Sequence, residues 1–426
     1  MEMLVIEGGC SLKGEVTISG SKNSALPVLI ASLLCDGKSS IRNVPNLADT
    51  RFLLSLLGAL GPECHFENNE VIIDATCIGS HRANYEMVRK MRASVLVLAP
   101  LLARLGRAEV SLPGGCAIGS RPVDIHLQGL ECLGASIEVS EGYIHAELKK
   151  GHFIGADFQL PMPSVGATEQ LIMAAVLAQG VTTLSKVARE PEIVELCAAL
   201  NKAGANIEGA GTSTLRISGV SSLCGLDYSI KADRIEAGTF IAIAGATGSS
   251  IKLKNICGQD ISNITERFAS AGLRFKSYEN SCEGLIDLEV IPCSRLKATD
   301  IETGAYPGFP TDMQAQFMAA MALAEGTSVI YERIFENRMM HVPELGRMGA
   351  NIKVEKGIAK VNGIECLSGA QVMATDLRAS ASLVIAALAA HGTSEIRRVY
   401  HLDRGYESLE KKLEQLGARV KRVTQI

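Results

Sequence analysis

Residues 379–396, with the sequence ASASLVIAALAAHGTSEI, combine an apolar helix-like run with a glycine, Gly392, and a short strand-like run. The same combination occurs six times, with the glycines at positions 37, 106, 180, 248, 326 and 392. A glycine suits the position after a helix because it adopts a left-handed backbone conformation without a Cβ clash. The intervals of 66 to 78 residues between these glycines therefore predict six structural repeats.

A second series of glycines, at positions 61, 134, 204, 272, 349 and 417, has the same period and phase. These glycines follow amphipathic helices such as residues 409–416, whereas the first series follows helices that are apolar on most faces. Apolar helices are expected to be buried and amphipathic ones to lie outside. The predicted buried helices are residues 25–34, 93–102, 171–178, 238–246, 313–324 and 379–390.

Each repeat is predicted to run strand, helix, strand, helix, strand and strand. This order gives an α/β fold of the α+β type, with buried helices and outer sheets. Six repeats divide into two domains of three, predicted as residues 22–230 and as residues 1–21 plus 231–426, because the strand-like run at 3–6 can complete the second domain. One continuous solenoid is the alternative, less favoured because solenoid repeats are usually nearer 20 to 50 residues.

Composition restricts the function classes. The 426 residues carry 42 Lys and Arg against 46 Asp and Glu, and tryptophan is absent, which disfavours a nucleic-acid partner. The 12 cysteines form no C-x-x-C pair, so no zinc ribbon is expected. The longest apolar stretches fall short of the roughly 18 residues of a membrane span, and the acidic start lacks the basic residues of a signal peptide. We therefore expect a cytoplasmic protein without a membrane partner.

The segment from Ser19 to Pro27 joins a predicted strand to a buried helix. Backbone N–H groups and the positive end of the helix dipole make such a junction a natural anion site, to which Lys22 adds a full charge. Capping of the helix by Asn23 or Ser24 is the alternative role for this polar run.

A glycine- and proline-rich loop surrounds Cys116, within Leu112 to Asp124. Arg121 nearby would favour the thiolate form of this cysteine. The pattern fits a lid that carries a reactive thiol, and it equally fits an ordinary turn.

The segment from Tyr306 to Gln316 opens another buried helix. Asp312 could act there as a general base directed into a cleft. Alternatively, Thr311 and Gln314 could form a capping box, with Asp312 as a helix-start acid.

Four scattered arginines, Arg92, Arg338, Arg378 and Arg404, lie beside apolar helices or motifs. An acidic chain repels anions at long range, so binding one requires a local cluster of cations. Cations from both halves of the chain predict a polyanionic ligand held in a cleft between the two domains.

Six motifs together are similar to those of the bacterial UDP-N-acetylglucosamine enolpyruvyl transferases, in the enolpyruvyl transferase superfamily. They are Ser19–Asn23, Pro113–Gly119, Arg121–Asp124, Ser164–Thr168, Phe309–Gln314 and His401–Glu407. The resemblance covers essentially the whole chain and implies two inside-out α/β domains. It also implies phosphoenolpyruvate and UDP-N-acetylglucosamine as substrates, the committed step of peptidoglycan synthesis, and no metal or other cofactor.

The resemblance further implies roles for individual residues. Cys116 is implied as the acid that protonates C3 of phosphoenolpyruvate, with a nucleophilic role as the alternative, and as the target of fosfomycin. Asp312 is implied as the base. Lys22 and Arg404 complete the implied catalytic set. The phosphoenolpyruvate site is implied to contain Lys22, Asn23, Arg121, Arg338, Arg378 and Arg404. The nucleotide-sugar site is implied to contain Asn23, Arg92, Arg121, Pro122, Val123, Asp124, Ile125, Ser164, Val165, Gly166, Asp312 and Ile334.

The chain departs from the family pattern in two places where some members carry a lysine. One is Met162–Pro163, just before the Ser164 turn, and the other is Ala48. We expect altered affinity from these departures, not lost activity.

The nearest competing activity is that of 5-enolpyruvylshikimate-3-phosphate synthase, which lacks the cysteine lid. A catalytically silent nucleotide-sugar-binding paralogue and a repeat protein without a ligand are less favoured hypotheses, because Cys116, Asp312 and the arginines are all present.

Overall fold

The structure is a computed structural model that describes residues 2–114, 119, 122–280 and 284–424. Cys116 and Arg121, two of the predicted site residues, lie outside the described residues. The chain forms two compact units. The first unit contains the described residues of 20–114 and 122–231, and the second contains those of 2–19 and 232–424.

The described residues form 24 strands. They are β1 Glu2–Glu7, β2 Lys13–Thr17, β3 Lys38–Arg42, β4 Glu63–Glu67, β5 Glu70–Asp74, β6 Arg82–Ala83, β7 Arg107–Ser111, β8 Ala135–Ser140, β9 Tyr143–Leu148, β10 Asp157–Gln159, β11 Val181–Ser185, β12 Asn206–Glu208, β13 Thr214–Ser218, β14 Asp227–Ser229, β15 Ser250–Ile256, β16 Arg274–Glu279, β17 Ile286–Ile291, β18 Ile301–Glu302, β19 Thr327–Tyr331, β20 Asn351–Glu355, β21 Ile358–Asn362, β22 Gln371–Met373, β23 Thr393–Arg397 and β24 Arg419–Thr424.

The same part of the chain contains 13 α-helices and five short 3-10 helices. The α-helices are α1 Lys22–Ala31, α2 Ala48–Leu60, α3 Tyr85–Val88, α4 Leu98–Leu105, α5 Asp124–Cys132, α6 Val165–Ala175, α7 Pro191–Lys202, α8 Arg234–Thr247, α9 Ser262–Ser270, α10 Gln314–Met321, α11 Val342–Arg347, α12 Leu377–Ala389 and α13 Leu409–Gln415. The 3-10 helices are Ser32–Leu34, Arg92–Val97, Gln259–Ile261, Thr311–Met313 and Val399–Arg404.

The strands form six four-stranded sheets over the described ranges, and all six have the same internal order. In β10-β11-β13-β12, for example, the strand before the buried helix pairs in parallel with the strand after it, and the two remaining strands pair antiparallel. The first unit contains this sheet with β14-β3-β5-β4 and β6-β7-β9-β8, and the second contains β2-β15-β17-β16, β18-β19-β21-β20 and β22-β23-β1-β24. The predicted repeat order is therefore confirmed.

The apolar helices occupy the cores of the units, as predicted. In the second unit α8, α10 and α12 pack against one another, and every residue of α10 is buried. In the first unit α1, α4 and α6 belong to one continuous apolar core. The predicted helix at 93–102 is wrong in its first half, because residues 92–97 form a 3-10 helix and α4 begins only at Leu98.

The repeat glycines have the backbone conformation that the sequence requires of them, but the predicted position directly after a helix is wrong for Gly37, Gly180, Gly326 and Gly392. The helices before these four end three to five residues earlier, because the residue before each glycine already forms a β-bridge. All twelve have a positive φ, from 61° at Gly248 to 124° at Gly61. Gly106 and Gly248 end α4 and α8 in the left-handed region, where a side chain would be strained. Among the helices of the described residues, none combines the length and the apolar character that a membrane span requires.

Candidate active site

Asp312 is the centre of a charged cluster in the second unit. It lies in the 3-10 turn Thr311–Met313 that leads into α10, and its side chain is 27% exposed. Its Oδ1 is 2.7 Å from Nη2 of Arg338 and its Oδ2 is 3.1 Å from Nη2 of Arg378. Arg338 and Arg378 lie 26 and 66 positions after Asp312 in the sequence, and the structure brings these three predicted site residues together.

The start of α12 holds Arg378 in this cluster. Asp376 caps the helix by accepting hydrogen bonds from the backbone nitrogens of Arg378 and Ala379, at 2.8 and 3.0 Å. The Arg378 side chain is 4% exposed, and its Nη1 has no hydrogen-bond acceptor among the described residues. A buried polar nitrogen without a partner is uncommon and indicates a ligand contact.

The charge of Arg378 is permanent. Burial by itself lowers the pKa of its guanidinium, but the nearby negative charge of Asp312 and the Tyr406 hydroxyl outweigh burial and raise the pKa above its ordinary value. The guanidinium carbon lies 5.7 Å from the centroid of the Tyr406 ring. A desolvated, permanent cation of this kind interacts strongly with an anion.

Arg338 is also buried, and its guanidinium carbon lies 5.5 Å from the centroid of the Phe335 ring. Behind it, His341 is completely buried. Burial lowers the pKa of His341 to about 4, and the positive charge of Arg338 acts in the same direction, whereas Asp376 opposes it. His341 is therefore a neutral member of the cluster at neutral pH.

The predicted capping box of Thr311 and Gln314 is wrong. The Thr311 hydroxyl donates instead to Oε2 of Glu332, at 2.9 Å, and Gln314 Nε2 contacts the sulfur of Met339 at 3.2 Å. The physical reason is that Pro310, not Thr311, precedes the 3-10 turn, so the Thr311 hydroxyl is not at the N-cap position and donates instead to a carboxylate that tertiary folding supplies.

A chain of hydrogen bonds ties the Asp312 turn to α8. Gln316 Nε2 donates to the backbone oxygen of Asp312 at 2.8 Å and to the Tyr406 hydroxyl at 3.2 Å. The Tyr406 oxygen is 2.9 Å from the hydroxyl of Thr239, which donates to the carbonyl of Ile235 at 2.8 Å. These buried groups fix the backbone beneath the Asp312 carboxylate.

Two further predicted residues lie in the second unit. Arg404 ends the 3-10 helix Val399–Arg404, which packs against α12. Burial lowers the pKa of His401, which lies in the same helix. The positive charge of Arg404 lowers this pKa further and the negative charge of Asp376 raises it, so Arg404 and Asp376 both lie near His401. Ile334 is 41% exposed.

In the first unit, Lys22 is the first residue of α1. Its Nζ lies 3.4 Å from Oδ2 of Asp49, and the two side chains are 14% and 7% exposed. Ser21 caps the helix by accepting from the backbone nitrogen of Ser24, so the predicted capping by Asn23 or Ser24 is wrong. The helix begins two residues earlier than capping by Asn23 requires and three residues earlier than capping by Ser24 requires, so Asn23 is already the second residue of α1.

Apart from Asn23 in α1, the described nucleotide-sugar residues predicted in the first unit fall in three segments that pack together. Arg92 Nη2 donates to the carbonyl of Pro122 at 3.0 Å, beside Val123 and the start of α5, which contains Asp124 and Ile125. Ser164 caps α6, followed by Val165 and Gly166 in the first turn. A Cβ on Gly166 would lie 3.1 Å from Cε1 of His126 on α5, so only glycine allows this close approach.

Sequence reasoning missed several residues of these clusters. Asp376 had a local signal, since an aspartate before an apolar helical run is a typical N-cap. Asp49, Glu332 and His341 had none, because the contacts that bring them to these clusters, with Lys22, Thr311 and Asp376, join different segments of the chain. Tyr406 lay within a quoted motif but without a role.

Comparison with known proteins identifies the family. Residues 6–413 match the family of EPSP synthase (3-phosphoshikimate 1-carboxyvinyltransferase). The chain belongs to this family, and the predicted superfamily resemblance is confirmed.

Among curated proteins, the chain is 52% identical to the UDP-N-acetylglucosamine 1-carboxyvinyltransferase of Geobacter metallireducens, over 99% of this chain and 100% of the relative. It is also 52% identical to the protein of the same name from Acinetobacter guillouiae, over the full length of both.

Two solved structures show the same fold. The enolpyruvyl transferase NikO from Streptomyces tendae matches with a TM-score of 0.88 at 24% identity, over 100% of this chain and 99% of that chain. EPSP synthase from Acinetobacter baumannii matches with a TM-score of 0.78 at 18% identity, over the full length of both chains. These likenesses confirm the predicted fold class.

Proposed function

We propose that this chain transfers the 1-carboxyvinyl group of phosphoenolpyruvate to the 3-hydroxyl of UDP-N-acetylglucosamine and releases phosphate. The shared name of its relatives at 52% identity supports this substrate pair. The reaction is the committed step of peptidoglycan synthesis and takes place in the cytoplasm.

The observation that carries the proposal is the buried Arg378. One terminal nitrogen, Nη2, binds Asp312, and the other, Nη1, is buried with no acceptor in the described part of the chain. A guanidinium presents its donors in a planar fork that fits a carboxylate. Arg378 can therefore hold the carboxylate of phosphoenolpyruvate while it retains Asp312. Arg338 and Arg404 complete the carboxylate site.

The chemistry is addition followed by elimination. Asp312 takes the proton of the sugar 3-hydroxyl while the oxygen of that hydroxyl bonds to C2 of phosphoenolpyruvate. Cys116 gives a proton to C3. The product of this step is a tetrahedral adduct. Loss of a proton from C3 and departure of phosphate from C2 then restore the double bond.

The first unit binds the phosphates in this proposal. Lys22, at the N-terminus of α1, Asn23 and Arg121 bind the phosphate of phosphoenolpyruvate. The nucleotide sugar binds to Asn23, to Arg92 with the Pro122–Ile125 segment, to Arg121, to Ser164–Gly166, to Asp312 and to Ile334. The N-terminus of α6, with its positive dipole end, suits a diphosphate. The contact between Arg92 and Pro122 supports the grouping of these residues.

An assay of phosphate release tests the proposed function. The purified chain is incubated with phosphoenolpyruvate and either UDP-N-acetylglucosamine or shikimate 3-phosphate, without added metal. Phosphate release only with the nucleotide sugar is the expected result. Release with shikimate 3-phosphate instead assigns the chain the other activity of the family, and release with neither contradicts both.

A further inference from the structure

Four hydrogen-bond donors converge on the carboxylate of Glu332, which is 8% exposed. Oε1 accepts from the Thr303 hydroxyl at 2.9 Å and from the backbone nitrogens of Ile334 and Phe335 at 2.8 and 3.1 Å. Oε2 accepts from the Thr311 hydroxyl at 2.9 Å. A charged acceptor strengthens each of these bonds, and so Glu332 is a rigid anchor point.

The segments that Glu332 joins are the ones that carry Asp312 and Arg338. Thr311 is the residue before Asp312, and the ring of Phe335 packs against the guanidinium of Arg338. Because Arg338 also binds Asp312 at 2.7 Å, the contacts close into a ring that starts and ends at the Glu332 carboxylate. A closed ring of short contacts restricts the position of each member more than a single bond does.

The two oxygens of Glu332 have different tasks in this ring. Oε2 receives the bond from the Asp312 turn, whereas Oε1 receives the bonds from Thr303, which follows β18, and from the 334–335 segment. The bonds from Thr311 and Thr303 have the same chemistry and length, but only Thr311 is the direct neighbour of Asp312. Thr303 is bridge-paired with Phe309, and its hydroxyl also accepts from the backbone nitrogen of Arg333 at 2.9 Å, so its loss disturbs the fold at least as much as the loss of the Thr311 hydroxyl. This pair of threonines therefore allows the support of Asp312 to be tested against general support of the fold.

We infer that Glu332 is a positioning residue, which holds the Asp312 carboxylate in its reactive place through Thr311. The inference rests on the proposed function for the role of Asp312. Glu332 touches no substrate in this scheme, and its contact with the 3-10 turn is the bond from Thr311. A misplacement of about 1 Å in a reacting group can cost on the order of a hundredfold in rate.

The test compares Thr311→Val with Thr303→Val. Each substitution removes one hydroxyl donor from Glu332 with little change in volume. Thr311→Val is expected to lower kcat by about tenfold to a hundredfold with little change in the KM for UDP-N-acetylglucosamine. Thr303→Val is expected to stay within about threefold of the unmodified chain, and Thr311→Ser, which keeps the hydroxyl, is expected to restore most of kcat. Equal losses in the two valine variants would overturn the inference.

A double-mutant cycle separates positioning from a general structural effect. Once Asp312→Asn has removed the base, Thr311→Val should cost less than about twofold further in kcat, because the two residues act as one unit. The same tenfold loss with and without Asp312 would refute the role of Glu332 in catalysis.

Hydrogen–deuterium exchange gives a readout that does not depend on activity. Peptides covering residues 309–318 should exchange faster in Thr311→Val than in Thr303→Val. If exchange there is unchanged, the inference fails even where the chain is active. If exchange rises but the unmodified chain releases no phosphate, the anchoring is supported and the proposed function fails.

Discussion

At the scale of single residues, the cluster around Asp312 joins one carboxylate to two buried guanidinium groups. Ion pairs of this kind are expensive to form in a dry site and are strongly destabilised when one partner is removed. The cluster is therefore poorly explained by stability alone. The buried Nη1 of Arg378 has no acceptor within the described ranges, and under the proposed function a substrate anion would complete the coordination of the guanidinium.

Substitution of Arg378 by lysine tests this explanation. An ammonium group cannot bind Asp312 and a substrate carboxylate through two separate planar donors. Arg378→Lys is expected to lower kcat/KM for phosphoenolpyruvate by about tenfold to a hundredfold, the loss that accompanies one charged hydrogen bond. Steady-state kinetics with Arg347→Lys, at an exposed arginine of α11, provides the control, which should change less than about twofold. A normal kcat/KM in Arg378→Lys would show that the second donor has no role.

The buried His341 makes stability depend on pH. Its pKa is lowered to about 4 in the folded chain, against about 6.5 in an unfolded chain. Between these values the unfolded state binds more protons, so the free energy of unfolding rises with pH and falls as the solution is acidified. The contribution of this one group is about 3 kcal/mol between pH 7 and pH 4.

Calorimetric Tm values between pH 7 and pH 4 measure this effect. The unmodified chain should lose Tm more steeply on acidification than His341→Leu, which removes the titrating group. The comparison of slopes cancels the titration of carboxylates elsewhere in the chain. Parallel pH profiles for the two proteins would show that His341 does not titrate in this range.

At the scale of secondary-structure elements, the buried helices bring their N-termini to the candidate site residues. In the second unit Asp312 precedes α10 and Arg378 belongs to the first turn of α12. In the first unit Lys22 and Val165 are the first residues of α1 and α6. A helix N-terminus favours negative charge, so this shared placement creates anion sites from an otherwise apolar core.

The contact between α5 and α6 depends on Gly166. Gly166→Ala places a Cβ 3.1 Å from a ring atom of His126, which is 4% exposed and cannot move aside into solvent. We expect a loss of about 1 kcal/mol in the free energy of unfolding from this overpacking. Thermal unfolding should show a lower Tm. Steady-state kinetics should show a raised KM for the nucleotide sugar.

Gly58 in α2 is the matched control for this substitution. A Cβ at Gly58 meets no atom of the described residues within 4 Å, so Gly58→Ala should stabilise the chain by up to about 1 kcal/mol through helix propensity. The same gain in Gly166→Ala would mean that the two helices have room to separate.

At the scale of the whole molecule, each unit is built from three copies of one sheet and helix arrangement, and the second unit contains both the first and the last strand of the described chain. β14, at the end of the first unit's sequence, pairs in parallel with β3 near its beginning. β1 lies between β23 and β24, from the other end of the chain. Each unit therefore closes with strands that are distant in sequence, which makes its folding dependent on long-range contacts.

The sequence by itself determined the repeats, the buried helices and the turns at the repeat glycines, because these depend on local periodicity and on residues such as Gly248 that adopt a left-handed backbone without strain. It also carried the family motifs, since catalysis requires particular residue types. Only the tertiary structure decided the partners. The bond from Thr311 to Glu332 replaced a predicted local cap, and Lys22 found Asp49, because the neighbour of a side chain depends on which strands and helices pack together and not on its own sequence.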